Sequence, residues 1–152
     1  MGGEAAADRT ILRISGADRV SFLQGLVSND LRRLDRGMIY AALLSAQGKY
    51  LADFFLVPEG GTILLDVKAG LAEGLARRLS MYRLRADVAI APAGLHCHRG
   101  LGAVPAGAFA DPRHPALGWR AYRAEAGSAP QIDWDALRVA NQIGRASCRE
   151  RV

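Results

Sequence analysis

Hydrophobic and polar positions alternate in several segments of the chain, and this two-residue period predicts β-strands. Residues 10–15 (TILRIS) alternate, are rich in β-formers and end before Gly16, which indicates a first strand. Two apolar runs follow, at 38–44 and 49–57. They flank Ser-Ala-Gln-Gly at 45–48, and a four-residue loop that ends in glycine is typical of a β-hairpin. Further strands are predicted at 62–67, 86–91, around 95–98 and at 119–124.

A period of three to four residues marks the predicted helices. Asp18 is the expected N-cap of a first helix, whose apolar face lies beside Phe22. A second helix carries an apolar stripe, and Glu73 and Arg77 support it as an i,i+4 pair. The first face consists of Val20, Leu23, Leu26 and Val27, and the second stripe of Leu71, Leu75, Leu79 and Tyr82. Residues 31–34 predict a short turn and residues 134–140 a last helix.

The order of these elements predicts an α+β fold. Strands joined by hairpins, with only two or three helices between them, favour a mainly antiparallel sheet with the helices packed against it. We divide the chain into a flexible N-terminus at 1–9 and one α+β domain at 10–126. A linker and the start of a next segment are expected at 127–141.

The last eleven residues, 142–152 (QIGRASCRERV), lose every apolar period. They can be encoded by DNA that resembles a common sequencing-library adapter, so we expect a non-native tail and a natural protein that continues beyond Asn141. The alternative is a genuine basic tail. Because the segment holds three arginines and one glutamate, its removal lowers the formal net charge of +5 by two and weakens any argument from basicity.

Composition excludes several classes of protein. A chain of 152 residues with 50% hydrophobic and 23% charged residues can bury a core and is unlike a disordered segment. Its apolar runs are far shorter than the roughly 20 residues of a membrane-spanning helix, and the N-terminus lacks the pattern of a secretory signal. Two cysteines, Cys97 and Cys148, make no disulfide framework, so a cytoplasmic location is predicted.

Asp53 is the sharpest candidate for chemistry. Alternation places it on one face of its strand with Leu51 and Phe55, and places Tyr50 on the opposite face. If Leu44 pairs with Lys49 across the hairpin, Tyr40 lies directly opposite Asp53. Both faces of the strand are apolar, so a buried carboxylate there must find donors or bind something. Two interpretations stay open at this point: Asp53 accepts from a backbone amide or a core arginine, or it belongs to a ligand site.

Two other clusters have simpler interpretations. In a strand, His96 and His98 point away from Cys97, and no second cluster supplies further metal ligands. We therefore expect a small core cysteine, a solvated pair of histidines and no metal.

Seven arginines predict a solvated surface, because no aromatic residues interleave with them as nucleic-acid binding requires. They are Arg32, Arg33, Arg36, Arg77, Arg78, Arg83 and Arg85.

Four segments together resemble one family. They are ISGADRVSFLQGLVSNDL at 14–31, YAALLSAQGKYLADFFL at 40–56, ARRLSMYRLRADVAI at 76–90 and DPRHPALGWRAY at 111–122. In this order and spacing they are similar to the folate-binding YgfZ proteins and their relatives. That family is related to the aminomethyltransferase, or T-protein, of the glycine cleavage system. The resemblance covers nearly all of residues 10–140 and implies the N-terminal part of that fold.

The resemblance implies a tetrahydrofolate-type ligand in a central pocket. In the T-protein branch an aspartate at the place of Asp53 contacts the folate near its reactive nitrogens, and Tyr40 would stack or hydrogen-bond beside it. Lys68 stands where the T-protein has a small amide residue, which is a departure from that pocket. The family's motif K-G-C-Y-x-G-Q-E belongs beyond Asn141 and is missing, so neither Cys97 nor Cys148 takes the role of its cysteine.

Three functions are therefore weighed. The first is a folate-binding accessory protein that supports iron–sulfur cluster assembly or repair, including of tRNA-modifying enzymes, with iron–sulfur client or assembly proteins as partners and no catalytic residue assigned. The second is a folate-dependent aminomethyltransferase. YRLR at 82–85 and DPRHPALGWR at 111–120 favour the first over the second. The third is an RNA-contacting module that uses the arginines; direct nucleic-acid binding and membrane contact are not expected.

Overall fold

Nine strands and three α-helices follow one another along residues 3–141, the part of the chain that this computed structural model describes. The predicted non-native tail, 142–152, lies outside the described residues. The strands are β1 (Glu4–Ala5), β2 (Arg9–Ser15), β3 (Ile39–Leu44), β4 (Tyr50–Glu59), β5 (Thr62–Lys68), β6 (Ala89–Pro92), β7 (His96–Gly100), β8 (Phe109–Ala110) and β9 (Trp119–Arg123). The helices are α1 (Arg19–Gln24), α2 (Ala69–Tyr82) and α3 (Trp134–Ala140), with 3₁₀ turns at Leu31–Arg36 and Pro115–Leu117.

The strands form two antiparallel sheets. One has five strands in the order β3-β4-β5-β2-β6, and the other has four in the order β1-β7-β9-β8. Short turns join β3 to β4 and β4 to β5, because Gly48 and Gly60 supply the positive φ angles, +83° and +53°, that such turns need. The predicted α+β class with a mainly antiparallel sheet is confirmed.

Side-chain alternation builds one core on each face of the five-stranded sheet. Leu12, Phe54 and Leu65 point to the face covered by α1 and α2. Phe55 and Leu64 point to the other face, where they meet residues of the four-stranded sheet. The central strands read as continuous apolar runs for this reason: both of their faces are covered. The second face, between the two sheets, is the one that carries Asp53.

The helices differ from the sequence prediction in three details. The Asp18 side chain does not cap α1; it accepts a hydrogen bond from the backbone N–H of Asp87 at 2.8 Å, which ties the helix to the segment before β6. Val20 is 44% exposed, because α1 ends at Gln24 and presents only a short face to the sheet. On α2, Leu75 and Leu79 are buried as predicted, whereas Leu71 and Tyr82, at the two ends of the predicted stripe, are each 37% exposed.

The pairing of β3 with β4 corrects the predicted register. Leu44 pairs with Tyr50 instead of Lys49, so five residues, 45–49, separate the strands, and Ser45 N–H donates to the Lys49 carbonyl within this loop. Leu51 then has no partner, which makes a β-bulge between the Leu44–Tyr50 and Leu43–Ala52 pairs. The prediction that Tyr40 lies directly opposite Asp53 is therefore wrong: Tyr40 pairs with Phe55, and Asp53 with Ala42. The shift amounts to two residues, so Tyr40 and Asp53 remain on one face.

The chain before β2 is tied to the chain after β9. Glu4 lies in the segment predicted as a flexible N-terminus, yet β1 pairs with β7, and Ala5 N–H donates to the Ser128 carbonyl at 2.7 Å. The buried Glu4 carboxylate accepts from the backbone N–H of Gln131 at 3.0 Å and from Nε1 of Trp134 at 2.8 Å. These bonds hold the start of α3 against the four-stranded sheet.

Candidate functional site

Asp53 accepts hydrogen bonds from the hydroxyl groups of Tyr40 and Tyr50. Tyr40 reaches it diagonally across β3 and β4, because the two residues share a face although they are not paired. The predicted proximity of a phenol and this carboxylate is confirmed. The two donors are tyrosines, a third possibility beside the backbone amide and the core arginine considered from the sequence.

Tyr50 reaches Asp53 because of the bulge. Strict alternation would place Tyr50 on the opposite face and Leu51 beside Asp53, but the structure reverses both: Leu51 packs against the core under the helices. Burial, together with the hydrogen bond to Asp53 and the negative charge of that group, raises the pKa of Tyr50 above its usual value. Tyr50 therefore stays a protonated donor at neutral pH, and Asp53 the acceptor.

Asp53 and Tyr50 line a cavity of about 550 Å³. It lies where one end of the inner strands β2, β4 and β5 meets the four-stranded sheet, α3 and the first turn of α2. Six basic and three acidic side chains line it, which favours a ligand with negative charge. The basic ones are Arg9, Lys68, Arg99, Arg113, Arg120 and Arg138, and the acidic ones Asp8, Asp53 and Asp135. Tyr40 is not in this lining; it stands behind Asp53 and lines a neighbouring depression with Arg113.

Asp66 is the buried carboxylate that sequence analysis missed. It is fully buried and receives Arg9 Nε at 2.7 Å, Arg120 Nη1 at 2.8 Å and Tyr122 Oη at 2.6 Å. Burial alone would raise the pKa of Asp66, but the positive charges of Arg120 and Arg9 outweigh it and hold the pKa below its usual value. The signal that exposed Asp53 was present here as well, because TILLDVK places one aspartate in an apolar strand.

A second carboxylate, Asp111, continues the network towards the cavity. It accepts from Arg113 Nε at 3.0 Å and Nη2 at 2.8 Å, and Arg120 Nε lies 3.8 Å away. The guanidinium groups of Arg120 and Arg113 lie 4.2 Å and 4.9 Å from the centre of the Phe55 ring. The DPR and GWR parts of the 111–120 segment thus supply one connected set of charges on the cavity wall.

Cys97 is a small core residue, as predicted. It is 3% exposed, and burial with the negative charge of Asp66 raises its pKa to about 12. The expected solvated pair of histidines is half wrong. His96 is exposed, but His98 is buried and its Nε2 lies 2.7 Å from the Glu125 carbonyl, because the loop after β9 covers that face of the sheet. Within residues 3–141 no group of three His, Cys, Asp or Glu side chains could hold a metal ion.

Alkylation tests this description of Cys97. In a chain carrying Cys148→Ser, we expect iodoacetamide at pH 8 to modify native Cys97 at least about a hundredfold more slowly than the same chain in denaturant, since the thiolate is the nucleophile and this thiol is buried and protonated. Mass spectrometry over time measures the rate. Equal rates in the native and denatured chain would contradict the burial of Cys97.

The seven arginines singled out in the sequence lie outside the cavity and are all exposed, as the solvated interpretation predicted. They belong to the 3₁₀ turn Leu31–Arg36, to α2 and to the loop that follows it. Separately, no helix of the described chain is long and apolar enough to cross a membrane.

Comparison with known proteins gives one consistent set of relatives. The chain is 35% identical over 91 residues to the iron-sulfur cluster assembly factor IBA57 homolog, mitochondrial, of Pyricularia oryzae, a match that covers 57% of this chain and 23% of that protein. It is 30% identical over 154 residues to the iron-sulfur cluster assembly factor IBA57, mitochondrial, of Homo sapiens, covering 80% of this chain and 42% of that protein. No family model matches the chain.

A solved structure gives the fold. Aminomethyltransferase T of the glycine cleavage system from Bartonella henselae matches with a TM-score of 0.57 at 18% identity, over 64% of this chain and 27% of that one. The chain spans less than half the length of the relatives that it matches. Their names place them in mitochondria, so the cytoplasmic location predicted from the cysteines is not supported by them.

Proposed function

We propose that this chain, a relative of the IBA57 iron–sulfur cluster assembly factors with the fold of aminomethyltransferase T, binds a tetrahydrofolate-type ligand at Asp53 and supports the assembly or repair of iron–sulfur proteins. This is the resemblance expected from the four sequence segments, and its family is confirmed by the relatives. The observation that carries the ligand assignment is the half-buried Asp53 carboxylate on the wall of the cavity.

The residues at Asp53 fit a pterin ring. A carboxylate has about four acceptor positions, and two tyrosine hydroxyls occupy two of them, so Asp53 keeps capacity for N–H donors of a ligand. The phenols fix the orientation of the carboxylate from behind and beside it. A cavity of about 550 Å³ is within the usual size range of small-molecule sites. Lys68, the departure from the T-protein pocket, lies on the cavity wall and adds a positive charge there.

Two observations favour the accessory role over aminomethyl transfer. The similar sequences are named as iron–sulfur cluster assembly factors, whereas the likeness to aminomethyltransferase T at 18% identity concerns the fold alone. The partners of the accessory role would be iron–sulfur client or assembly proteins. The RNA-contacting alternative has the weaker basis: Tyr82, whose hydroxyl accepts from Arg78 Nη1 at 3.4 Å, is a single aromatic ring beside the exposed arginines, whereas single-strand binding uses a series of stacking rings.

Asp53→Asn tests the ligand assignment. The substitution keeps shape but removes the charge, and we expect tetrahydrofolate binding to weaken by about 1–3 kcal/mol, the usual value of a hydrogen bond to a charged group. Calorimetric titration of the chain with 5-formyltetrahydrofolate, a stable reduced folate, measures it. Asp35→Asn, which changes an exposed aspartate outside the cavity, is the matched control and should leave the affinity unchanged. Equal affinities for the wild type and Asp53→Asn, with the fold intact, would refute the role of Asp53.

A further inference from the structure

The cavity wall where the start of β2 meets β7, β9 and the segment before β9 holds more arginines than the buried carboxylates beside them. Arg9, Arg113 and Arg120 share only two buried carboxylates, Asp66 and Asp111. Arg99 adds a fourth guanidinium on the same face, since β7 and β9 pair Arg99 with Arg120. These four arginines and two aspartates carry two positive charges in excess, and Glu4, whose carboxylate interacts with Arg99, reduces the excess to one.

Of these four arginines, Arg99 is the one that forms no ion pair with a carboxylate among the described residues, although Asp111 and Glu4 are near enough to interact with its charge. Its guanidinium stacks on the ring of Trp134 at 3.7 Å, and its Nε is buried without a hydrogen-bond acceptor. Nε of Arg120 is likewise buried without an acceptor within hydrogen-bond distance. Arg120 is only 3% exposed and lines the cavity. Two buried donors thus lack acceptors at the same wall.

Repulsion between the arginines also indicates that the cavity wall favours an anion. Burial, with the positive charges of Arg120 and Arg113, lowers the pKa of Arg99 below its usual value, which means that its charged form is destabilised where it stands. Buried charges are normally paired, and arginine in particular pairs with carboxylate or phosphate through two parallel hydrogen bonds. An anion from outside the described chain would supply the missing acceptors.

We infer that Arg99, with Arg113 and Arg120, forms an anion subsite in the wall of the cavity that takes a carboxylate or phosphate group. Arg99 is the principal donor, because Arg113 and Arg120 already hold Asp111 and Asp66 and add mainly positive potential. Which molecule carries the anion rests on the proposed function: a folate with its ring at Asp53 would present the carboxylates of its glutamate to Arg99. The alternative source is free phosphate.

Measurements of folate binding test whether the anion is a carboxylate of the folate glutamate. Calorimetry compares the wild-type chain, Arg99→Met and the control Arg85→Met, which removes an exposed arginine outside the cavity. With 5-formyltetrahydrofolate we expect Arg99→Met to bind about ten- to a hundredfold more weakly and Arg85→Met to bind like the wild type. Dimethyltetrahydropterin, which has the ring but no carboxylate, should bind all three chains alike. If Arg99→Met does not fold, Arg99→Lys carries the test, because loss of the planar fork should weaken binding about threefold or more.

Thermal unfolding in low-millimolar phosphate, against chloride at equal ionic strength, tests the anion subsite without folate. Bound phosphate should raise the Tm of the wild type and of Arg85→Met, and not that of Arg99→Met. An equal rise in all three chains would reflect a general effect of the salt and would overturn the subsite.

The two arms separate the proposals. If 5-formyltetrahydrofolate fails to bind while phosphate stabilises the chain through Arg99, the anion subsite stands and the folate function is wrong. If folate binds equally well to the wild type and Arg99→Met, the folate function stands and the subsite is wrong. Failure of both ligands to bind overturns both.

Discussion

Asp66→Ala is expected to lower the free energy of unfolding by about 3–5 kcal/mol, the usual cost of removing one partner of a buried ion pair. The substitution leaves Arg120, which is 3% exposed, without the acceptor that lies 2.8 Å from its Nη1. It also frees Arg9 Nε and the Tyr122 hydroxyl. Urea unfolding with an unchanged m-value measures the loss.

The matched control is Glu59→Gln in the same sheet. Glu59 pairs with Arg13 at 3.0 Å, but both side chains are more than a third exposed, so solvent screens the pair and we expect a loss of no more than about 1 kcal/mol. A loss at Asp66 as small as that at Glu59 would show that the buried network contributes little.

The contribution of Asp66 also depends on pH. Because the pKa of Asp66 is lower in the folded chain than in the unfolded one, its stabilisation is present above the unfolded value of about 4 and is lost as the pH falls below it. The difference in stability between the wild type and Asp66→Ala should therefore shrink in acid. A difference that stays constant from pH 7 to pH 2 would contradict the lowered pKa.

Gly118→Ala is the second change with a large expected effect. Gly118 has φ +71° and ψ −127°, a conformation that costs a residue with a side chain about 1–3 kcal/mol by itself. A Cβ there would also overlap the Gly100 carbonyl oxygen, so the total loss should exceed that value. Gly118 ends the segment that carries Asp111 and Arg113. Its carbonyl accepts a hydrogen bond from the Asp111 N–H at 2.9 Å, which holds that segment next to Arg120.

Gly107→Ala separates the two costs. Gly107 has a similar φ of +81°, but a Cβ there meets nothing within 4 Å, so only the backbone conformation is penalised. In thermal unfolding, the Tm of Gly118→Ala should be well below that of Gly107→Ala. Similar Tm values for the two would show that the chain adjusts around Gly118 without loss.

The sequence located elements and faces well where the cause is local. Strand β2, the hairpin of β3 and β4, and the buried Leu75 and Leu79 follow from alternation, glycine turns and the helical period. Asp53 stood out for the same reason, as a single carboxylate in an apolar strand. The Leu51 bulge was not predictable, because a bulge depends on how two strands twist against each other. Because of this one extra residue, Tyr50 lies on the same face as Asp53 and donates to it.

The sequence by itself thus determined the α+β class, the hairpin and the face on which Asp53 lies, since period-two alternation and turn residues act over a few neighbouring positions. Only the tertiary structure brought Asp66 to Arg9 and Arg120, which are 57 and 54 positions away along the chain. The packing of two sheets face to face decides which side chains meet between them, and no local pattern encodes that choice. The excess of arginines around Arg99, from which we infer the anion subsite, arises from the same packing.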